Sequence, residues 1–335
     1  MNLEEQYSLS PLEAHYLNEA LTAFTAAKSV KSGDTVLDLG ANVGLHTTAF
    51  SKLVGDCGKV HAFEPNPSLF GYLTTIPNVR VWPVAVGNRL SLETFFLPVD
   101  NSEVGSLVDA REFVGDIPTR LLTVPQVPID QIEELSDVMP SFIKIDVERY
   151  EYQAITGMLQ LINRSKPVIV FESNTIEIEL LLNNLGYQVA SMAPSNMGIT
   201  PANVVAFARG VHDPVKFLPS RADMRILINQ AIVAARDRVA EADHASETKS
   251  LTPNVVNSLA TRVATFFRGI MIERGPRSVS DFLIAHSKSR LNRKGFDAEY
   301  YLAINTDVAE SGMEAVEHFV RHGQSEKRSH RFNHQ

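Results

Sequence analysis

Residues 36–44, Val-Leu-Asp-Leu-Gly-Ala-Asn-Val-Gly, constrain this chain more than any other stretch. A short apolar run ends in Asp38 and Gly40, and helical spacing of apolar residues begins just after Gly44. That pattern is a strand, a tight turn and a helix, the opening unit of a doubly wound α/β sheet. Gly40 suits a turn position where a side chain would obstruct, and Gly44 lets the following helix or a ligand come close. The free N–H groups at the helix start favour a polar or anionic group. Asp38 stands at the carboxyl end of the strand, where open α/β sheets bind ligands.

Glycine spacing narrows the ligand. A dinucleotide fingerprint reads G-x-G-x-x-G. Here Asp38, Gly40 and Gly44 read D-x-G-x-x-x-G, the arrangement used for S-adenosylmethionine (SAM). Residues 59–64 form the expected second strand, ending in Phe-Glu-Pro-Asn-Pro. Glu64 lies 24 residues after Gly40, where folds of this kind hold a ribose diol. A carboxylate accepts from both hydroxyls, and Pro65 stops the strand directly after it.

The length of 335 residues suggests about two domains, and a hydrophobic fraction of 44% is enough for a sizeable core. No apolar run reaches the ~20 residues that a membrane span needs, and the acidic N-terminus lacks the apolar core of a signal peptide. The lone Cys57 excludes an intramolecular disulfide framework. These features point to a cytoplasmic protein. A formal net charge of −8 argues against nucleic acid as the main partner.

Ser10 and Pro11 mark an N-cap and first turn, followed by Leu12, Tyr16, Leu17, Ala20, Leu21 and Phe24 at helical spacing. This helix is expected to pack over the sheet. Helices at 45–54 and 68–75 and a third strand at 79–86 follow. Residues 90–130 break the alternation of strand and helix. Two β-rich runs, 92–97 and 121–127, flank Ser106 in an insertion of the sort that builds substrate contacts.

Residues 142–148, Phe-Ile-Lys-Ile-Asp-Val-Glu, read as the central fourth strand. Lys144, Asp146 and Glu148 then share one face. Three charges on a strand whose two faces are normally apolar are costly unless paired or functional. A helix at 150–161, a fifth strand at 167–171 ending in Glu172, a helix at 176–185 and a closing pair at 187–192 and 204–208 complete seven strands. The first domain ends near residue 210. Residues 211–275 read as a helical linker segment, with a helix over 224–239 and a polar stretch at 243–250. Residues 276–335 read as a small helical module. Four histidines crowded near its end, His318, His322, His330 and His334, lack the partners of a closed metal set.

The seven strands and their motifs resemble the FkbM-type SAM-dependent methyltransferases. The matching stretches are VLDLGANVGLHT at 36–47, VHAFEPNP at 60–67, VAVGN at 84–88, VGSL at 104–107, PID at 128–130, IKIDVERYE at 143–151 and IVFES at 169–173. The resemblance implies a class I methyltransferase fold, Rossmann-like, with strand order 3-2-1-4-5-7-6. It also implies methyl transfer, usually to a hydroxyl oxygen of a sugar or other natural product. Carried over, Asp38, Gly40, Asn42 and Gly44 line the SAM pocket and Glu64 takes the ribose. The family pattern K-I-D-x-E-G-x-E has Arg149 in place of its glycine here. That arginine could reach an acidic substrate or Glu148, or mark altered activity. The C-terminal stretch from FDAEYYLAINTDVA to HGQSEKRSHRFN resembles a second unit, found beside glycosyltransferases and methyltransferases of bacterial surface-polysaccharide pathways. It implies a glycan or sugar precursor as substrate and a glycosyltransferase as partner.

Aligning acceptor and methyl supplies much of the catalysis in such a displacement. An alcohol also needs to lose a proton, so a base helps. Asp146 is the first candidate, Glu148 the second and His46 the third, with Lys144 keeping the carboxylate ionised. Ser106, Arg149 and Glu172 are candidates for the acceptor side. Asp146, Glu172 and Asn174 alternatively offer hard oxygen ligands to Mg²⁺. Two other classes stay open. One is a nicotinamide oxidoreductase, which the missing G-x-G-x-x-G disfavours. The other is a catalytically weak SAM-binding scaffold in a glycan-assembly complex.

Overall fold

The computed structural model describes residues 7–99, 105–109, 118–172, 174–195 and 197–247, with side chains described as far as residue 239. The expected module at 276–335 lies outside these residues. Helix α1 (Pro11–Ser29) opens with a capping box, Ser10 accepting from the Glu13 N–H while the Glu13 carboxylate accepts from the Ser10 N–H. Strands β1 (Thr35–Leu39), β2 (Lys59–Phe63) and β3 (Val79–Trp82) pair in parallel. Helix α2 (Leu45–Val54) joins the first two, and the one-turn helix α3 (Phe70–Leu73) precedes the third.

The main sheet is completed by β7 (Pro140–Ile145), β8 (Val168–Phe171), β9 (Tyr187–Ser191) and β10 (Val204–Ala208). Its order is β3-β2-β1-β7-β8-β10-β9, the expected 3-2-1-4-5-7-6, with only β10 running antiparallel to its neighbours. The expected third strand is divided. Its second part becomes β4 (Ala85–Val86), which joins β5 (Ser91–Pro98) and β6 (Thr119–Val127) in a separate three-stranded sheet. That sheet is the insertion, and Phe95, Leu97 and Val124 form its own small core with Ala85.

Helices cover both faces of the main sheet. On one face, α1 and α2 bury Leu17, Leu21, Phe24 and Phe50 against Val36 and Phe142. On the other, α4 (Glu151–Thr156), α5 (Leu159–Ser165) and α6 (Ile176–Asn184) bury Ile155, Ile162 and Leu182 against Leu37, Ile143 and Ile169. The expected single helix over 150–161 breaks at Gly157, where any Cβ would strike the Gly87 carbonyl oxygen at 1.9 Å. Backbone contact there ties the insertion to the sheet, so the helix yields.

The core does not end near residue 210. Helix α7 (Arg221–Glu247) lies against α1, and its Met224, Ile226, Leu227, Ile228, Ala231 and Ala235 join the same apolar cluster. It runs on through 243–247, where the sequence suggested a linker. Ending the chain after residue 210 should therefore unfold it. Burying four side chains of this size contributes roughly 1.5–3 kcal/mol each, which together matches a typical domain stability of about 5–15 kcal/mol. A chain ending at 247 should melt cooperatively by circular dichroism, and the shorter one should show no transition.

Candidate active site

A cleft partly open to solvent lies over the carboxyl ends of β1, β2 and β7. Polar groups come from Gly40 and Asn42 after β1, Glu64 and Asn66 after β2, and Asp146 and Glu148 after β7. Phe63, Val84, Phe95, Leu107 and Tyr150 supply apolar walls. Phe63 is held flat by stacking on Trp82, centroid to centroid 5.8 Å and 9° apart. The insertion contributes Phe95, Gly105 and Leu107, so it builds one side of the site.

The loop after β1 is shaped by backbone contact. Gly40 has φ +77, and a Cβ on it would meet the Asp146 carbonyl oxygen at 1.8 Å. The chains leaving β1 and β7 therefore touch at this glycine, and Asp146 N–H donates to the Leu39 carbonyl at 3.0 Å. Asn42 follows in a left-handed conformation, φ 50, which asparagine tolerates better than most residues. Its N–H donates to Glu64 Oε2 at 2.8 Å, and Asn66 N–H donates to Oε1 at 2.7 Å. Glu64 thus ties the tips of β1 and β2 together and still has lone pairs for a ligand. Burial pushes its carboxyl up to about 7, against the pull of those two N–H donors.

Gly44 and Asp38 do not line the cleft. Gly44 starts α2 in a left-handed conformation, and its missing side chain makes room for Leu73, Ile76 and Tyr72. Asp38 is fully buried under the loop, where its Oδ2 accepts from Thr47 Oγ1 at 2.6 Å and its Oδ1 lies 3.7 Å from Lys144 Nζ. Both shape the glycine loop from behind. His46, on the same helix, is buried and also outside the cleft lining, with Nε2 2.8 Å from Glu19 Oε2 of α1.

Strand β7 stops at Ile145, so the expected shared face of Lys144, Asp146 and Glu148 does not extend past Lys144. The chain turns there instead, with Glu148 at φ 52 and Arg149 at φ 70. The arginine thus adopts the conformation that the family glycine would hold without strain, at a cost of about 1–2 kcal/mol. Two contacts hold this turn. Glu151, 1% exposed, takes the Val147 and Arg149 N–H groups on its carboxylate. Ser106 Oγ donates to the Glu148 carbonyl at 2.7 Å and accepts from Val108 N–H at 2.9 Å. Ser106, expected on the acceptor side, is a latch between insertion and turn.

The turn gathers acids. Ligand oxygens of Asp146, Glu148 and Glu172 lie within 4.8 Å of one another. Burial, then the charges of Asp146 and Glu151, push Glu148 up to about 7. Burial, then Asp146, Glu148 and Glu151, push Glu172 up to about 8, and its carboxyl hydrogen-bonds Asp146. Asp146 Oδ2 also accepts from Lys144 Nζ at 3.0 Å. Burial alone would lower Lys144, but Asp146, Asp38 and Glu19 outweigh it and hold the ammonium above its usual range. Asn174 does not join the acids; its side-chain amide donates to Glu179 at 2.7 Å. The sequence reading missed Glu19, Glu151 and Tyr150. Only Glu151, an acid opening a helix, carries a local signal.

A parallel sheet of this order, with the glycine loop after its first strand and an acid at the tip of its second, is the class I methyltransferase fold. Residues 38–189 match the family model of the methyltransferase FkbM domain. A search of curated proteins returned no match. Among solved structures, methyltransferase FkbM from Methylobacillus flagellatus KT is 19% identical with a TM-score of 0.35, over 54% of this chain and 44% of that one. The chain thus spans less than half of that protein. A SAM dependent methyltransferase from Aquifex aeolicus is 18% identical, TM-score 0.33, over 60% of this chain and 94% of the other. Aeropyrum pernix fibrillarin, solved with bound SAM, is 15% identical, TM-score 0.30, over 56% and 76%. At these values the likenesses carry no functional argument, and the fold rests on the strand order itself. Among the described residues, no helix is long and apolar enough to cross a membrane.

Proposed function

We propose that the chain is a SAM-dependent O-methyltransferase acting on a hydroxyl of a sugar or glycan precursor. The observation that carries the cofactor is Glu64, held by two backbone N–H groups at the rim of a cleft floored by the Gly40 loop. Its free lone pairs accept from a ribose diol, the backbone of Gly40 and Asn42 faces the amino-acid end, and Phe63, Val84 and Leu107 take the adenine. SAM when bound supplies a methyl group on a cationic sulfur.

The chain's own part is to align an acceptor oxygen and take its proton. Glu148 is the base that this geometry favours. Glu148 lines the cleft, and a carboxyl pushed up to about 7 suits proton transfer at neutral pH. Asp146 is the better positioner, because Lys144 and Glu172 already occupy its oxygens. The sugar or glycan class rests on the sequence resemblance of the family and of the C-terminal stretch. The glycosyltransferase partner rests on that stretch alone. Arg149, exposed beside Glu148, is the group for an acidic feature on the acceptor.

A second reading uses the same acids. Asp146, Glu148 and Glu172 form a hard oxygen set that suits Mg²⁺, and such an ion would lower the pKa of an acceptor hydroxyl. Loss of methyl transfer in chelator with recovery on added Mg²⁺ selects this reading.

The cofactor assignment is tested at Glu64. Alanine there would strand two backbone N–H groups and glutamine only one, so Glu64→Gln is the milder change. Charge-assisted hydrogen bonds are worth roughly 1.5–3 kcal/mol each, so SAM affinity should fall about tenfold or more. Calorimetry showing unchanged affinity in a folded Glu64→Gln protein removes the ribose assignment. Transfer of labelled methyl from SAM into lipid-linked or nucleotide-linked sugars tests the acceptor.

A further inference from the structure

The first helix is not only a cover for the sheet. Glu19, 16% exposed at its side chain, reaches inward from α1 to His46 on α2. The Glu19 charge also acts on Lys144, and the Lys144 charge on Glu19. Lys144 is 5% exposed at its side chain and lies 3.0 Å from Asp146 Oδ2, 3.5 Å from the Gly40 carbonyl and 3.7 Å from Asp38 Oδ1. Two of those groups, Asp146 and Gly40, line the cleft. One buried ammonium thus connects the cleft floor to a carboxylate on a helix that does not itself line the cleft.

A buried lysine is costly to keep charged unless paired. Asp38 is shared with Thr47, and Asp146 with Glu172. Glu19 adds a third carboxylate behind them. Burial alone would raise it, but His46 and Lys144 hold it down at about 2, so it stays ionised throughout the working range. Three carboxylates then surround one ammonium and one imidazole. The cluster is net negative at neutral pH whichever form the imidazole takes.

We propose that Glu19 is a positioning residue for methyl transfer. With His46 it completes the charge balance around Lys144, which holds the Asp146 carboxylate and the Gly40 carbonyl toward a cationic sulfur. The inference rests on the reading that the cleft takes SAM. Its consequence is selectivity. The cofactor's sulfonium carries a positive charge, and the sulfur of the product S-adenosylhomocysteine is neutral. A site with net negative charge behind its floor binds the first more tightly and releases the second.

Binding of SAM and S-adenosylhomocysteine to the full chain, measured by calorimetry, tests this. Removing a unit charge about 10 Å from a cation at an effective dielectric constant of about 20 changes affinity on the order of tenfold. Glu19→Gln should lose that much SAM affinity, while S-adenosylhomocysteine binding holds within about twofold because no charge faces it. Glu19→Asp, which keeps the charge, should recover most of the preference. Equal losses for both ligands, or no change in either, in a folded Glu19→Gln protein overturn the proposal. If Glu19→Gln does not fold, Glu19→Met removes the same charge at nearly the same side-chain volume. That variant must show the same selective loss, and equal losses for the two ligands overturn the proposal there too. Wild-type protein that binds neither ligand overturns the cofactor assignment and this inference with it. Wild-type binding with an unselective Glu19→Gln loss overturns only the role of Glu19.

Discussion

Glu148→Gln is expected to lower turnover by about 10²–10⁴-fold, the usual worth of a positioned base, with little change in SAM affinity. The amide keeps the carboxylate's volume and lies on a turn that Ser106 and Glu151 hold through backbone atoms. The geometry of the turn should therefore survive. In the wild type, the rate of methyl transfer should rise as pH passes through about 7, where the buried Glu148 carboxyl loses its proton. Stability changes in the opposite direction. A carboxyl raised from 4.5 to about 7 keeps its proton longer in the folded chain than in the unfolded one. Its contribution is present at low pH and is lost as pH rises through that window. Glu148→Gln should thus melt at or above the wild-type temperature at pH 8. A folded variant with near-normal turnover would move the base to Asp146. Asp146→Asn is a different experiment, since it breaks the contact to buried Lys144 and should lower both stability and SAM affinity.

Gly40→Ala is expected to destabilise the domain by at least about 2–4 kcal/mol and to abolish SAM binding. Two costs add. The left-handed conformation, φ +77, costs an alanine about 1–2 kcal/mol. The new Cβ would then sit 1.8 Å from the Asp146 carbonyl oxygen, and that atom belongs to backbone that cannot rotate away. The loops after β1 and β7 must separate, and the cleft floor goes with them. Gly33→Ala provides the control. Its φ is +91, and nothing lies within 4 Å of the added Cβ. It should show the conformational cost alone and retain SAM binding. A shift of roughly 2–4 °C per kcal/mol makes the difference readable by calorimetric melting. Equal melting temperatures for the two variants would show that the close approach at Gly40 contributes nothing.

The elements legible in the sequence are those with strong local chemistry. Helix α1 begins and ends where its cap and apolar spacing place it, and α2 spans 45–54 as read. The strand order matches as well. What went astray did so where distant backbone intervenes. Residues 79–86 look like one apolar strand, yet β4 pairs with β6 of the insertion. Residues 150–161 have one helical period, yet Gly157 breaks it against Gly87. Residues 142–148 alternate like a strand, yet the strand ends at Ile145 because the chain must turn across the cleft.

By itself the sequence determined the class of this protein. Asp38, Gly40, Gly44 and Glu64 have spacings that follow from one strand–turn–helix unit and the strand after it, and such local geometry is written in residue order. Only the tertiary structure decided which side chains face the cleft. Asp38 and Gly44, although in the motif, shape the loop from behind, while Glu148 and Tyr150 enter the lining. It also joined Glu19 to Lys144, 125 positions apart in the chain, and carried the core on to Ala235. A buried charge takes whatever partner folding brings within reach of Coulomb attraction, and apolar faces take whatever covers them. Neither has a sequence period, so no pattern along the chain could have announced them.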